Sequence, residues 1–292
     1  IWQLSIIHHS QRLPKRHFSD GLGGGGRTLA CNIVSKIVIP TLLFSLIEYL
    51  PKKMLRGEPI VMHTFLSNTI GGGTYWFTSA LVIAEIVILL LLLTRCKNVW
   101  FYFIGGLLIA AFGWYLIRID FHLFGFGRDP WAYRRGLLAV AFIMAGGVYW
   151  RYEEQIAKLM KWHVLVCLLV TYVLIFSLFS EKVPVLICTM DITWEGYLAS
   201  LLGCVILIEI CKKLKTVRFL TFVGQYSLCF YFLSGALPML VSMGTKHFLP
   251  TDNVLVLLLV LALCLLISTS VTYVLNRYLP FIFDLRTIMK KN

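Results

Sequence analysis

Residues 254–268 read VLVLLLVLALCLLIS, and no charged side chain occurs anywhere from 253 to 276. About 20 apolar residues in a helix cross the roughly 30 Å hydrocarbon core of a bilayer. A second run at 80–93, ALVIAEIVILLLLL, is interrupted only by Glu85. Both runs are too long and too uniformly apolar for the one-sided pattern of a soluble surface helix. They predict membrane-spanning helices.

The rest of the chain agrees. Its 292 residues are 59% hydrophobic and 14% charged, with a mean hydropathy of +0.81. Soluble domains average about 45–50% apolar and about 25% charged residues. Lipid-facing side chains need not be polar, whereas a charge at mid-bilayer costs about 2.5–3.5 kcal/mol on insertion scales. The expected fold class is therefore all-α, a polytopic membrane helical bundle of about eight transmembrane helices. Apolar runs with polar ends place the spans at about 34–50, 75–94, 98–117, 135–150, 163–180, 196–211, 219–243 and 253–276. Aromatic residues cluster at the ends of these runs, as at Tyr75, Trp76 and Phe77, Trp150 and Tyr152, and Trp194 and Tyr197. Such rings favour the membrane–water interface.

Lysine and arginine set the orientation. One set of loops, together with both termini, carries eighteen of the 27 basic residues, and the opposite loops carry nine. Cytoplasmic segments hold the excess of basic residues, so both termini are expected in the cytoplasm, in a multi-pass protein of a bacterial inner membrane. This topology accounts for most of the formal charge of +13, and no nucleic-acid partner is needed to explain it. The eight cysteines are scattered, without CxxC or Cys/His spacing. They predict neither a metal site nor disulfides, and no cofactor is expected. Residues 1–27, polar and ending in glycines, read as a flexible cytoplasmic tail or a foreign segment; 28–285 form the transmembrane domain and 286–292 a cytoplasmic tail.

One span opens unlike the others. Residues 218–238 read RFLTFVGQYSLCFYFLSGALP. On a purely structural reading, Gly224 permits close helix approach, Ser227 bonds back to a carbonyl of its own helix, and Gln225 and Tyr226 lie among headgroups. The same segment resembles the late-span signature of the membrane acyltransferase 3 family, the O-acetylases of surface polysaccharides. That signature is a small apolar entry, Gly-Lys-x-Ser, then an apolar run with Tyr. Gly224, Gln225, Ser227 and Tyr231 fall on it. Tyr75-Trp76-Phe77 stands where the family opens a span with Trp-Phe-Leu. Lys36 and Pro40, in SKIVIPTLLF, resemble the basic residue and proline of an early span. The order and spacing agree over roughly residues 28–285.

The resemblance implies transfer of an acetyl group from acetyl-CoA, as donor substrate, to a sugar hydroxyl of a cell-surface polysaccharide or glycolipid. Membrane lipid would be the remaining partner. It implies substrate-binding roles for Lys36, Trp76, Gln225, Ser227 and Tyr231. It also implies a cytoplasm-facing cleft for the donor, where Lys212, Lys213, Lys215 and Arg218 could meet phosphates; ordinary positive-inside charge explains the same residues. Family members have about ten spans, and an early helix carries the histidine taken as catalytic. These residues show eight spans and no such helix, and Ser234 stands where many members have histidine. The 292-residue chain is therefore expected to lack that early pair of spans and to transfer nothing by itself.

Three further residues are candidates for catalysis. Glu85 lies in mid-span, where a carboxylate either acts as a base-orienting group or proton relay, or is a protonated or paired structural residue. Arg118 and His122 are four apart in YLIRIDFHLFGFGRDPWAYRR (115–135), on the outward side. An imidazole can deprotonate a sugar hydroxyl and an arginine can stabilise an oxyanion; an Arg–Asp interfacial pair involving Asp120 is the structural alternative. Trp131 and Tyr133 suit sugar stacking or interfacial anchoring. Glu48 and Glu209, near span ends, are expected to snorkel. A transporter or flippase for an amphiphilic glycan or lipid is the rival function, with broken helices as its signature.

Overall fold

The computed structural model describes residues 30–94, 96, 98–121, 129–179, 194–213, 217–246 and 254–279. Regular structure among them is helical. The order is α1 (Ile39–Arg56), α2 (Met62–Thr69), α3 (Trp76–Leu92), α4 (Val99–Arg118), α5 (Tyr133–Arg151), α6 (Glu153–Leu159), α7 (Trp162–Phe179), α8 (Trp194–Lys213), α9 (Arg218–Gln225), α10 (Ser227–Leu233), α11 (Leu237–Lys246) and α12 (Val254–Tyr278). The terminal segments 1–27 and 286–292 lie outside the described residues.

Among the described residues, three helical stretches are long and apolar enough to cross a membrane: Ala30–Met54, Val99–Arg118 and Val254–Tyr278. Two bent pairs raise the number to five if each pair is one crossing. Glu153–Leu159 meets Trp162–Leu174 at 88°, and Ser227–Leu233 meets Leu237–Thr245 at 51°. The apolar helix α3 is shorter, at 17 residues.

The entry of the first stretch follows from one proline. Pro40 has no N–H for the Lys36 carbonyl, and its ring crowds that carbonyl. The preceding turn, Val34–Val38, is a π-helix, and the Ile39 N–H reaches back to the Val34 carbonyl. Lys36 therefore sits in the widened turn.

The densest packing joins α5 to both α3 and α4. Small residues allow it. A Cβ on Gly136 would lie 2.7 Å from Ile83 Cβ and 2.8 Å from the Ala80 carbonyl oxygen. Ala84, Val140 and Ala141 have no exposed surface. In lipid, where apolar side chains gain little by leaving the solvent, close backbone approach is what holds helices together. Tyr197 of α8 packs on the cluster that Ala110 of α4 forms with Leu138 and Ala141 of α5, and donates to the Leu138 carbonyl at 2.9 Å.

The span expected over 219–243 is three helices. Gly224 is not its close-approach point, for nothing lies within 4 Å of a Cβ there. Among the described residues no back-bond from the Ser227 hydroxyl occurs, although Ser227 is buried. Ser234 makes such a bond instead, to the Tyr231 carbonyl at 2.7 Å.

Candidate functional site

The start of α3 and the end of α10 come together on α1. The Tyr75 hydroxyl donates to the Phe232 carbonyl at 3.0 Å. The Phe232 ring stacks on Phe44 of α1 with centroids 4.5 Å apart and planes within 7°. Tyr231 lies 5.6 Å from both Tyr75 and Phe77, ring to ring. Above this aromatic floor, Lys52 pairs with Glu48 at 2.5 Å, and Lys52 Nζ lies 5.5 Å from the Tyr75 ring centre. Gly235 closes the cluster: a Cβ there would be 2.5 Å from Glu48 Oε2 and 2.8 Å from Lys52 Nζ. Glu48 does not snorkel. It is 7% exposed and held in place by a lysine one turn away.

A similar trio stands elsewhere. Glu209, 2% exposed, accepts from the Tyr149 hydroxyl, and Lys212 donates to Tyr149 at 2.7 Å. Lys212 also pairs with Glu153 at 2.7 Å and Glu209 at 3.4 Å. Its ammonium is thus held among carboxylates and a hydroxyl, which removes it from the lysines available to phosphates. Lys213 lies over the Trp162 ring at 5.9 Å, and Lys215 is outside the described residues.

A third cluster lies between α4 and α5. Arg134, 3% exposed, donates to Asp129 at 2.6 Å and to Asp120 at 3.2 Å. Burial by itself would lower the Arg134 pKa; the bonds to Asp129 and Asp120 outweigh it and hold the guanidinium above its usual range. The partner of Asp120 is therefore Arg134 and not Arg118. Arg118 is exposed and lies over the Trp114 ring at 5.1 Å. The Trp131 N–H donates to the Gly71 carbonyl at 2.8 Å. Three non-glycine residues here have positive φ: Asp120 at 49°, Trp131 at 55° and Ala132 at 46°. Such conformations cost of order 1–3 kcal/mol each. The Trp131 side chain packs against the core of Ile33, Ile37, Leu81 and Val82.

The other candidates are spread out. Glu85 is half-buried on α3, and no hydrogen bond or ion pair meets its carboxylate among the described residues. Trp76 begins α3 with the Arg135 guanidinium 4.8 Å above its ring. Gln225 is exposed at the last position of α9, Ser227 is buried at the first of α10, and Lys36 is half-buried. His122 lies outside the described residues. The structure thus brings Tyr231 and the Tyr75–Phe77 segment together and leaves Glu85, Arg118 and Gln225 apart from them.

Sequence reasoning missed Glu48–Lys52–Tyr75 and Tyr149–Glu209–Lys212. The available signal was spacing: Glu and Lys four apart at 48 and 52, and three apart at 209 and 212, face each other on a helix.

Comparison with family models, curated proteins and solved structures finds no match to this chain.

Proposed function

We propose that this chain is an integral membrane O-acyltransferase, carrying an acetyl group from acetyl-CoA to a sugar hydroxyl of a surface polysaccharide or glycolipid. In this reading it crosses a bacterial inner membrane eight times, with both termini in the cytoplasm. The observation that carries it is the meeting of three segments. The helix entered at Lys36 and Pro40, the Tyr75-Trp76-Phe77 opening and the helix holding Ser227 and Tyr231 converge around Phe44, Tyr75 and Phe232. These are the segments in which the resemblance resides. Contacts between helix ends fit the sidedness of this reading. Lys52 meets Tyr75, and Gly71 meets Trp131. Trp100 meets Tyr152, and Lys212 meets Glu153. These are the groups that the Lys/Arg count assigns to opposite faces.

The reaction forms a C–O bond from the sugar hydroxyl to the acetyl carbonyl and breaks the thioester C–S bond. A base takes the hydroxyl proton, and the departing thiolate of CoA is protonated. His122 is proposed as a substitute for the histidine that the resemblance places on an early helix, Arg118 as the oxyanion's cation, and Glu85 as a proton relay.

The test is transfer of labelled acetyl from acetyl-CoA to glycan, in membranes expressing the complete reading frame. Alkali-labile label is expected, and Glu85→Gln should reduce it by about 10² or more at unchanged expression. Unchanged transfer would return Glu85 to a structural role. The bends of 88° and 51° favour a second reading, a transporter or flippase. Glycan reaching the outer face without any acetyl label would select it.

A further inference from the structure

The break between α9 and α10 has a counterpart at the end of α12. Phe222 and Tyr226 of the first, and Tyr273, Asn276 and Arg277 of the second, line an open depression of about 150 Å³, in which Tyr273 and Arg277 are exposed. The Phe222 and Tyr226 rings lie 4.9 Å apart. Arg277 donates one hydrogen bond, to the Tyr273 hydroxyl at 3.2 Å, and among the described residues it has no carboxylate partner. A guanidinium carries five N–H donors, so most of its capacity is unspent. The contrast with Lys212 and Arg134, each held by two acids, is plain.

Position and size narrow the ligand. The 25 residues of α12 exceed the about 20 that cross the hydrocarbon core, so its final turn reaches the headgroup region. Only 11% of the most apolar window of this helix is buried within the protein. The depression is smaller than the roughly 300–1,000 Å³ of sites that enclose a drug-sized molecule. It suits one ionic group. An arginine with no carboxylate partner among the described residues and the Tyr273 hydroxyl beside it fits a phosphate oxygen, which accepts strong charge-assisted bonds from guanidinium.

We propose that this depression is a binding site for the phosphate of a net-negative phosphoester, with Arg277 as its cation and Tyr226 and Tyr273 as its walls. The phosphoester is either an anionic phospholipid headgroup or a soluble one such as CoA. The site does not depend on the acyltransferase reading, since a lipid would occupy it whether or not the chain transfers acyl groups.

The test uses the full chain in mixed phosphatidylglycerol and phosphatidylcholine, followed by native mass spectrometry of retained lipid. A parallel arm titrates CoA in neutral detergent. In one arm or the other, Arg277→Gln is expected to weaken binding at least about tenfold. Arg277→Lys should keep part of it, and Tyr226→Leu should weaken binding with no change in charge. Dependence on Arg277 in the lipid arm identifies a headgroup site; dependence in the CoA arm identifies a soluble phosphoester. Indifference to Arg277 in both arms, or an equal loss from Arg151→Gln at the exposed end of α5, would overturn the proposal.

Discussion

The Tyr75 hydroxyl donates to the Phe232 carbonyl across 157 positions of sequence. That bond and the ring stack beneath it tie α1, α3 and α10 together, but the two contributions differ in size. Phe232 is wholly buried against Phe44, and truncating such a ring costs about 3–5 kcal/mol. The Phe232 carbonyl also receives the Gly235 N–H at 3.3 Å, so loss of the Tyr75 hydroxyl leaves it partnered. Phe232→Ala should lower unfolding stability in detergent by several kcal/mol, and Tyr75→Phe by about 0.5–1.5 kcal/mol. Equal losses would mean that the hydroxyl carries the junction.

Gly235→Ala would push a methyl group into the Glu48–Lys52 pair. Both contacted atoms are ends of flexible side chains, so the steric clash relaxes easily, and the cost lies in displacing a buried ion pair. The substitution should therefore destabilise the native chain by about 1–3 kcal/mol and far less in a Glu48→Gln/Lys52→Gln background. Additive losses in this cycle would show that Gly235 is needed for the backbone alone.

Arg134 and Asp120 should respond very differently. Arg134→Gln removes a charged partner of Asp129, whose side chain is 5% exposed, and removing one partner of a buried pair costs about 3–5 kcal/mol. The Asp120 side chain is 78% exposed, so Asp120→Asn should cost about 0–1 kcal/mol. Thermal unfolding of the purified variants in one detergent compares them. A loss at Asp120 as large as that at Arg134 would contradict this ranking.

The helices were legible where apolarity persists: α12 and α4 match the expected 253–276 and 98–117 closely. The π-turn at Lys36 follows from Pro40, a residue visible in sequence. The break after Gln225 was not legible, because no proline marks it and the apolar run continues through 228–233; the break after Leu233 does carry a signal, Gly235 within it and Pro238 in the first turn of α11. At the candidate site, Trp76 and Tyr231 were read from local motifs. Glu48 and Glu209 were misjudged because proximity to a span end looks like access to water, whereas lysines at the facing helical positions make burial tolerable. Arg134 was passed over for Arg118 because Asp120 is nearer to Arg118 in sequence, and the chain returns from α5 to reach it.

Everything proposed about transfer requires donor and acceptor to be reached from opposite faces of the membrane. The direct measurement is labelling of single cysteines, introduced at Ile60 and at Gln155 in a background cleared of native cysteines, with an impermeant maleimide. Both positions are exposed. In intact spheroplasts Ile60→Cys should label and Gln155→Cys should not, and inside-out vesicles should reverse the pattern. Labelling of both positions from the same face would contradict the account.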